Sequence, residues 1–194
     1  MKKICGYFVL IITYLNACIR GFLMRLLCKK CGKKIKVKFS VQIKGGEYIS
    51  IGDNVTIGKN ARLEAWDQYN QEHFTPSITL CNGVNMGNNC HIGAINSIFI
   101  GENVLMGSNI YITDHQHGKI QKAELQIKPS ERIPYSKGPV LIEKNVWIGD
   151  GVVIMPNTHI GEGCVIGANA VVTKSFPPYS VIAGVPAVSI KCLE

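Results

Sequence analysis

The stretch "YITDHQHGK", residues 111–119, contains the residue types best suited to acid–base chemistry. His115 and His117 carry imidazoles, which have an unperturbed pKa of about 6.5 and can therefore take a proton and return it near neutral pH. Asp114 directly precedes His115, and a carboxylate or a backbone carbonyl next to an imidazole can decide which ring nitrogen carries the proton. The stretch therefore predicts a catalytic base at one of the two histidines, oriented by Asp114 or by the backbone.

These residues interrupt a chain that is otherwise written in blocks of six. From Ile49 onward an aliphatic residue recurs at every sixth position, usually followed by glycine, and a small or β-branched residue stands two places earlier. Neither an α-helix nor an uninterrupted strand has a period of six. Each block is therefore predicted to be a short strand and a tight turn, with three blocks closing one triangular coil of a parallel rod. The inward positions are predicted to be Ile51, Ile57, Leu63, Leu80, Met86, Ile92, Ile100, Met106, Ile112, Ile142, Ile148, Ile154, Ile160, Ile166 and Val172.

Two segments, residues 67–77 and 118–139, break the phase of the repeat. A rod of stacked coils has flat faces, and long loops in compact domains are usually functional. His115 stands where a coil ends and the longer loop begins. Its side chain is therefore expected on the outer surface of the rod, covered by its own loop or by a neighbouring rod.

The net charge of +8 is unevenly distributed along the 194 residues. Residues 1–44 hold eleven Lys and Arg and no Asp or Glu, whereas the remaining chain holds ten basic against thirteen acidic residues. Because the body of the protein is mildly acidic and its aromatic residues are scattered, nucleic-acid binding is not expected. The division predicts an amphipathic, basic helical segment over residues 1–44 and a folded domain over residues 45–191.

The N-terminal segment has the character of a surface anchor. Residues 4–19 are apolar apart from Thr13 and Asn16, but they are fewer than the roughly 20 needed to span a bilayer. An apolar helix followed by basic residues is typical of contact with an anionic membrane surface, so residues 1–40 are expected to bind the inner face of a membrane. The alternative is a helix that packs on the domain or on a partner subunit.

The cysteines favour a reducing, cytoplasmic location. Cys81, Cys90 and Cys164 stand in repeat blocks where a small apolar residue is wanted, and the Cys28–Cys31 pair lacks the second pair that a structural zinc site normally needs. Free thiols are therefore expected.

Residues 45–191 resemble the left-handed β-helix acyltransferases of the hexapeptide-repeat superfamily. The stretch "NVWIGDGVVIMPNTHIGEGCVIGANAVVTKSFPPYSVIAGVPAVSIK" is similar to the acetyl-CoA-binding coils of maltose and galactoside O-acetyltransferases. The motif "TDHQHG" resembles the branch that O-acetylates capsule and lipopolysaccharide sugars. The resemblance implies an all-β, left-handed parallel β-helix with an N-terminal apolar and basic helix and an extruded loop. It also implies acetyl-CoA as co-substrate, a carbohydrate acceptor, no metal, and a homotrimer whose site lies between two rods.

The resemblance also implies roles for individual residues. His115 matches the family's general base, which takes the proton of the acceptor hydroxyl in a direct transfer, and this leaves His117 as a substrate contact. A backbone N–H around Gly149–Asp150 would bind the oxyanion. Where the family places its acceptor-binding residues, this chain has Gly87 and Val188, so acceptor recognition does not carry over. Asn89 and Asn96 are offered as acceptor contacts, and the coenzyme contacts are expected at Trp147, Gly149, Ala168, Thr173, Lys174 and Lys191.

The favoured function is O-acetylation of a sugar hydroxyl in a cell-surface polysaccharide or its precursor. An N-acetyltransferase acting on a nucleotide-linked amino sugar stays open, because the same base would serve it. A metal-dependent hydratase like the γ-class carbonic anhydrases could use His91, His115 and His117, but the last two are spaced more closely than that site expects. A non-catalytic scaffold is disfavoured because the chain has both a loop and a histidine at the break in the repeat.

Overall fold

A computed structural model of the chain describes the backbone of residues 2–192 and the side chains of residues 11–192. Met1 and the first ten side chains of the expected anchor therefore lie outside the described residues. Nineteen of the described strands form three parallel-stranded faces of a triangular rod, and a twentieth, antiparallel strand ends the second face. The first face consists of β1 (Lys30–Cys31), β4 (Ile49–Ile51), β9 (Ser77–Leu80), β12 (Ser97–Ile100), β17 (Val140–Ile142) and β20 (Thr158–Ile160).

The other two faces repeat the same order of coils. The second face consists of β2 (Lys36–Val37), β5 (Thr56–Ile57), β10 (Asn85–Met86), β13 (Leu105–Met106), β18 (Trp147–Ile148), β21 (Val165–Ile166), β23 (Ser180–Gly184) and the antiparallel β24 (Ala187–Cys192). The third face consists of β3 (Gln42–Lys44), β6 (Arg62–Ala65), β11 (His91–Ala94), β14 (Tyr111–Thr113), β19 (Val153–Ile154) and β22 (Val171–Val172).

The predicted sixth-position residues form the core. Ile51, Leu80, Ile100, Ile142 and Ile160 stand in register on successive strands of the first face, and each is almost completely buried. Burying each such side chain contributes about 1.5–3 kcal/mol relative to leaving it exposed. Like residues therefore stack on like along the axis, and the predicted β-helix is confirmed.

Asparagines make the tight corners possible. At the turns they adopt φ values from 55° to 62°, the left-handed region that asparagine tolerates better than most side chains. One set also forms a ladder between coils: Asn60 Nδ2 donates to Asn89 Oδ1 at 3.0 Å, and Asn89 Nδ2 donates to Asn109 Oδ1 at 2.9 Å. The asparagines with this conformation in the coils are Asn54, Asn60, Asn89, Asn103, Asn109, Asn145, Asn157 and Asn169.

The helix α1 (Lys2–Leu23) lies against the first coil. Ala17 and Gly21 form its buried side, Met24 of the 3₁₀ turn that follows is also buried, and a side chain at Gly21 would collide with the carbonyl oxygen of Ile35. Arg20 Nε donates to the carbonyl oxygen of Val37 at 2.8 Å. Val37 lies in the first coil, and the arginine satisfies a backbone acceptor that no preceding coil can pair with. No helix among the described residues has the length and hydropathy needed to span a bilayer.

The predicted boundary at residue 45 is wrong, because the first coil is built from residues 30–44. β1, β2 and β3 pair in parallel with β4, β5 and β6, so only α1 and the 3₁₀ turn Met24–Leu26 are helical in the N-terminal segment. Lysines occupy outward positions of this coil, and a second 3₁₀ turn, Gly46–Tyr48, shifts its phase from the later repeat. The cysteines at described positions are free, and Cys90 and Cys164 are buried.

Both extrusions leave the rod at the corner between the third and first faces. The shorter is a hairpin of β7 (Gln68–Tyr69) and β8 (Glu72–His73). The longer carries β15 (Gln116–His117), α2 (Lys122–Leu125), a 3₁₀ turn (Pro129–Glu131) and β16 (Pro134–Tyr135). Tyr69 Oη donates to the carbonyl oxygen of Ser130 at 2.7 Å, so the two extrusions touch above this corner.

Candidate active site

His115 is held against a fully buried carboxylate. Its Nδ1 lies 3.0 Å from Asp114 Oδ1, and Asp114 is 0% exposed. The same carboxylate accepts hydrogen bonds from the backbone N–H of Ile95 at 3.0 Å and of Asn96 at 2.9 Å. Because the carboxylate is an acceptor, Nδ1 carries the proton and donates it, and Nε2 keeps its lone pair. The adjacent pair that the sequence suggested is therefore formed.

Thr113 fixes the turn that makes this geometry. Its hydroxyl donates to the carbonyl oxygen of His115 at 3.1 Å and accepts from the backbone N–H of His115 at 3.2 Å. The hydroxyl oxygen also lies 3.2 Å from His115 Nδ1. Thr113 is buried at the end of β14, so its hydroxyl fixes the backbone and the imidazole of His115 to the rod. Sequence analysis did not single out this residue.

A second imidazole–carboxylate pair stands on the third face. His91 Nε2 lies 3.2 Å from Glu64 Oε2, and Arg62 binds the other oxygen, with Nη2 at 2.7 Å and Nε at 3.0 Å from Oε1. Burial opposes ionisation of Glu64, but the hydrogen bonds and charge of Arg62, together with His91, lower its pKa. Burial and the positive charge of Arg62 also lower the pKa of His91, so its ring is neutral near pH 7.

Gly93 leaves the space between the two imidazoles. It stands in register between Glu64 and Thr113 on the outer surface of the third face. A methyl group at Gly93 would lie 3.6 Å from His115 Cε1 and 3.6 Å from His91 Nε2. Both rings therefore lie close to the same strand position, at ordinary contact distance from where a methyl group would stand.

An aromatic wall closes the site towards the hairpin. The ring centres of Trp66 and His115 are 5.9 Å apart, and Trp66 stacks on Tyr69 at 5.6 Å with an angle of 7°. Lys44 Nζ lies 4.3 Å from the Trp66 ring centre, within cation–π range. Trp66 Nε1 is the one buried side-chain donor or acceptor in the described part of the chain that lacks a hydrogen-bond partner. None of these wall residues was predicted, since the register between coils that gathers them is not visible in the sequence.

The predicted acceptor contacts separate into two groups. Asn96 lies at the site: its backbone binds Asp114 and its Nδ2 donates to Ser136 Oγ at 3.3 Å. His117 lies on the loop, with its ring centre 5.6 Å from that of Tyr69 in an edge-on arrangement. Asn89 is different, because both halves of its amide are used in the corner ladder. Asn89 therefore has a structural role in the corner ladder, and its contact with an acceptor stays a prediction.

The predicted coenzyme contacts lie elsewhere on the chain. Trp147 is 54% exposed on the second face, beside the exposed Leu105, and Lys191 is exposed at the end of that face. Thr173 and Lys174 are exposed after β22, where Lys174 Nζ lies 5.6 Å from the Phe176 ring centre. In a triangular rod the second face is opposite the corner that carries His115. One chain therefore does not bring Trp147 or Lys191 to the base, whereas Thr173 and Lys174 lie at the same corner as His115, two strands further along the third face.

The backbone N–H of Gly149 is not available to an oxyanion. It already donates to the carbonyl oxygen of Ile166 at 2.8 Å as part of the stacking of coils. A methyl group on Gly149 would lie 2.7 Å from the Ala168 nitrogen, so the two residues pack directly on one another. Gly149 and Ala168 therefore shape a close contact between coils, and the predicted oxyanion donor around Gly149–Asp150 is left with the N–H of Asp150, where it stays a prediction.

Among the residues whose positions are described, no group of three or more His, Cys, Asp and Glu is arranged to hold a metal ion.

Comparison with known families identifies the class. Residues 139–174 match the bacterial transferase hexapeptide family (six repeats), and residues 48–62 match the hexapeptide repeat of succinyl-transferase. These matches, together with a relative that is 33% identical over 80% of the chain, show that the chain belongs to the hexapeptide-repeat acyltransferases, which are left-handed β-helices.

Individual relatives narrow the class to acetyltransferases. The chain is 33% identical over 158 residues to WbbJ of Escherichia coli K12, which is named for lipopolysaccharide biosynthesis O-acetyl transfer; the match covers 80% of this chain and 77% of WbbJ. It is 33% identical to the galactoside O-acetyltransferase of the same organism, over 68% of this chain and 60% of that enzyme. The protein is therefore an acetyltransferase.

Solved structures share the fold. AntD, an N-acyltransferase from Bacillus cereus solved with dTDP and 3-hydroxybutyryl-CoA, superposes with a TM-score of 0.75 at 22% identity, over 90% of this chain and 88% of AntD. The acetyltransferase VCA0836 from Vibrio cholerae, solved with acetyl coenzyme A, gives a TM-score of 0.62 at 24% identity, over 90% and 76% of the two chains.

Proposed function

We propose that this acetyltransferase moves the acetyl group of acetyl-CoA to a hydroxyl of a sugar in a cell-surface polysaccharide or its precursor. The observation that carries the proposal is the free Nε2 of His115, left as a base because Asp114 holds the proton on Nδ1. The relatives named for O-acetyl transfer to lipopolysaccharide and galactosides support the choice of acceptor. The proposed reaction is cytoplasmic, since acetyl-CoA is a cytoplasmic metabolite.

The proposed chemistry is a direct transfer. His115 Nε2 takes the proton of the acceptor hydroxyl as its oxygen attacks the thioester carbonyl carbon. The tetrahedral intermediate then expels the thiolate of coenzyme A, which receives the proton from the imidazolium. Asp114 remains a carboxylate throughout and stabilises the positive charge that forms on the ring.

The separation of the base from Trp147 and Lys191 supports a homotrimer. Trp147 and Leu105 are large apolar side chains exposed on the second face, in register on adjacent strands. If the second face of one rod lies against the His115 corner of the next, the coenzyme residues of one chain complete the site of its neighbour. Three such contacts close a ring.

A second candidate is transfer to the amine of a nucleotide-linked amino sugar. It is favoured by the close fold match to AntD, whose structure contains dTDP. His115 would accept a proton from the amine as it does from a hydroxyl, so the geometry of the base serves both acceptors.

Mass analysis of the surface glycan tests the proposal. Cells with the normal gene are compared with cells carrying His115→Ala, and His159→Ala is the matched control because His159 pairs with Glu143 on the exposed first face. Loss of an alkali-labile acetyl mass only in His115→Ala supports O-acetylation. Loss of an alkali-resistant acetyl supports the amine acceptor, and three identical glycans would refute the surface-sugar function.

A further inference from the structure

Helix α1 has two opposite faces, and only one of them is covered. Ala17, Gly21 and Met24, spaced four and three residues apart, pack on the first coil. The side of the helix turned away from the rod carries a stripe at spacings of three and four, as a helical face requires. Its exposed fractions run from 43% to 64%, and its members are Ile12, Leu15, Ile19 and Phe22.

The residues that follow the stripe along the chain are basic and lack acidic partners among the described side chains. No acidic residue occurs before Glu47. Among the described side chains, no lysine or arginine before Arg62 takes part in an ion pair. The exposed basic residues that follow the stripe along the chain are Arg25, Lys29, Lys30, Lys33, Lys34 and Lys38.

We propose that this surface docks on an anionic lipid bilayer, with the stripe inserted among the acyl chains and the lysines at the headgroups. An apolar helical stripe followed along the chain by basic residues is the pattern of interfacial helices. Each basic residue near an anionic surface adds to the attraction. This docking goes beyond the proposed transfer reaction and does not depend on it.

A second copy of the chain fits the surface less well. The stripe has the spacing of a coiled-coil seam, but such seams are bordered by charges of both signs. Here a symmetric contact between copies would bring together segments that carry only positive charge. A bilayer rich in anionic lipid supplies the opposite charge, and it needs no complementary shape.

Flotation of the full-length protein with lipid vesicles tests the docking. Vesicles of phosphatidylcholine are compared with vesicles that contain about one third phosphatidylglycerol, at low and at high salt. We expect binding to the anionic vesicles only, with a loss on raising the salt, because exposed charges are screened.

Point variants locate the surface without removing α1. Ile12→Gln with Ile19→Gln, and separately Lys29→Gln with Lys33→Gln and Lys34→Gln, are each expected to weaken vesicle binding about tenfold or more. The matched controls are Ile120→Gln with Leu125→Gln, exposed apolar residues of the long loop, and Lys122→Gln with Lys128→Gln. The controls should bind as the unaltered protein does.

Three results would overturn the docking. The first is no binding to anionic vesicles, and the second is equal binding by the helix variants and the controls. The third is a stripe variant with a lower oligomer mass in light scattering, combined with an unaltered protein that does not bind vesicles. The last result would assign the stripe to a second copy. Acetyl-CoA binding is measured on every variant. A protein that binds vesicles but transfers no acetyl group refutes the proposed reaction and leaves the docking surface standing.

Discussion

The two imidazole–carboxylate pairs at the His115 corner are built from the same groups and differ in their partners. Asp114 is held by two backbone N–H groups and faces Nδ1 of His115, whereas Glu64 is held by Arg62 and faces Nε2 of His91. Backbone donors orient a carboxylate and add no mobile charge. An arginine competes with the imidazole for the same carboxylate and opposes a second positive charge beside it.

This difference in partners indicates which of the two rings can act as the base. His115 keeps the nitrogen opposite its carboxylate free, and its carboxylate is ready to stabilise an imidazolium. His91 lies beside a cation and has a lowered pKa, so it is better suited to remain neutral and contact the acceptor. A third imidazole–carboxylate pair, His159 and Glu143 at 2.7 Å, is exposed on the first face. It lies outside the candidate site and therefore serves as the control pair.

The largest expected effect comes from removing the proposed base. His115→Ala should lower kcat for acetyl transfer by about 10²–10⁴-fold, the usual contribution of a general base. Binding of acetyl-CoA should be unchanged, since Trp147 and Lys191, two of its predicted contacts, lie on another face. Steady-state kinetics and coenzyme binding check this, with His159→Ala as the unaffected control. A loss below tenfold would contradict the role of His115.

Asp114→Asn should have the next largest effect, lowering kcat by about 10²-fold or more because the tautomer of His115 is no longer enforced. The amide NH₂ must also face a backbone N–H of Ile95 or Asn96, and leaving such a donor unsatisfied costs about 1–3 kcal/mol of unfolding free energy. Kinetics and urea unfolding measure the two effects. In the unaltered protein, ¹⁵N chemical shifts should show the proton on Nδ1 of His115 and on Nε2 of His91; the reverse pattern would remove the basis of the comparison.

His91→Gln should have a moderate effect, because glutamine can still bond to Glu64 but cannot fill the space beside Gly93 as a ring does. We expect kcat/KM for the acceptor to fall about tenfold, the equivalent of one lost contact, with the KM for acetyl-CoA unchanged. A loss as large as that of His115→Ala would show that His91 shares in the proton transfer. No loss at all would make His91 purely structural.

The smallest effect is expected from Arg62→Gln, which should raise the pKa of His91 because the cation that opposes its protonation is gone and Glu64 remains. The sign also governs stability. A lowered pKa in the folded state means that the unfolded chain binds the proton more readily, so the free energy of unfolding decreases as the pH falls below about 6.5. NMR titration of the His91 ring measures the shift. An unchanged or lower pKa in Arg62→Gln would contradict the proposed cause.

Local features of the sequence predicted much of this protein. The sixth-position aliphatic residues and the left-handed corners are local, so the rod and the break at His115 could be read from spacing alone. Asp114 and His115 could be paired because they are adjacent in the chain.

The contacts between coils could not be read in the same way. His91 stands beside Arg62 because the β7–β8 hairpin takes up extra residues, and the sequence does not show how many. The first coil was missed because its lysines hide the repeat, although Ile35, Val37 and Ile43 keep the inward positions. The Gly149 N–H was assigned to an oxyanion because its bond to Ile166 forms only when two coils stack.

The packing of α1 on the first coil affects whether molecules can polymerise end to end. A parallel coil without a predecessor is a template on which another chain could continue the ladder, and such open ends lead to fibres. Gly21 lets the helix backbone pack directly on Ile35, and Arg20 donates a hydrogen bond to the Val37 carbonyl oxygen. The helix therefore covers this end of the rod and blocks end-to-end polymerisation. A chain shortened past α1 is therefore expected to grow into filaments before it loses its fold.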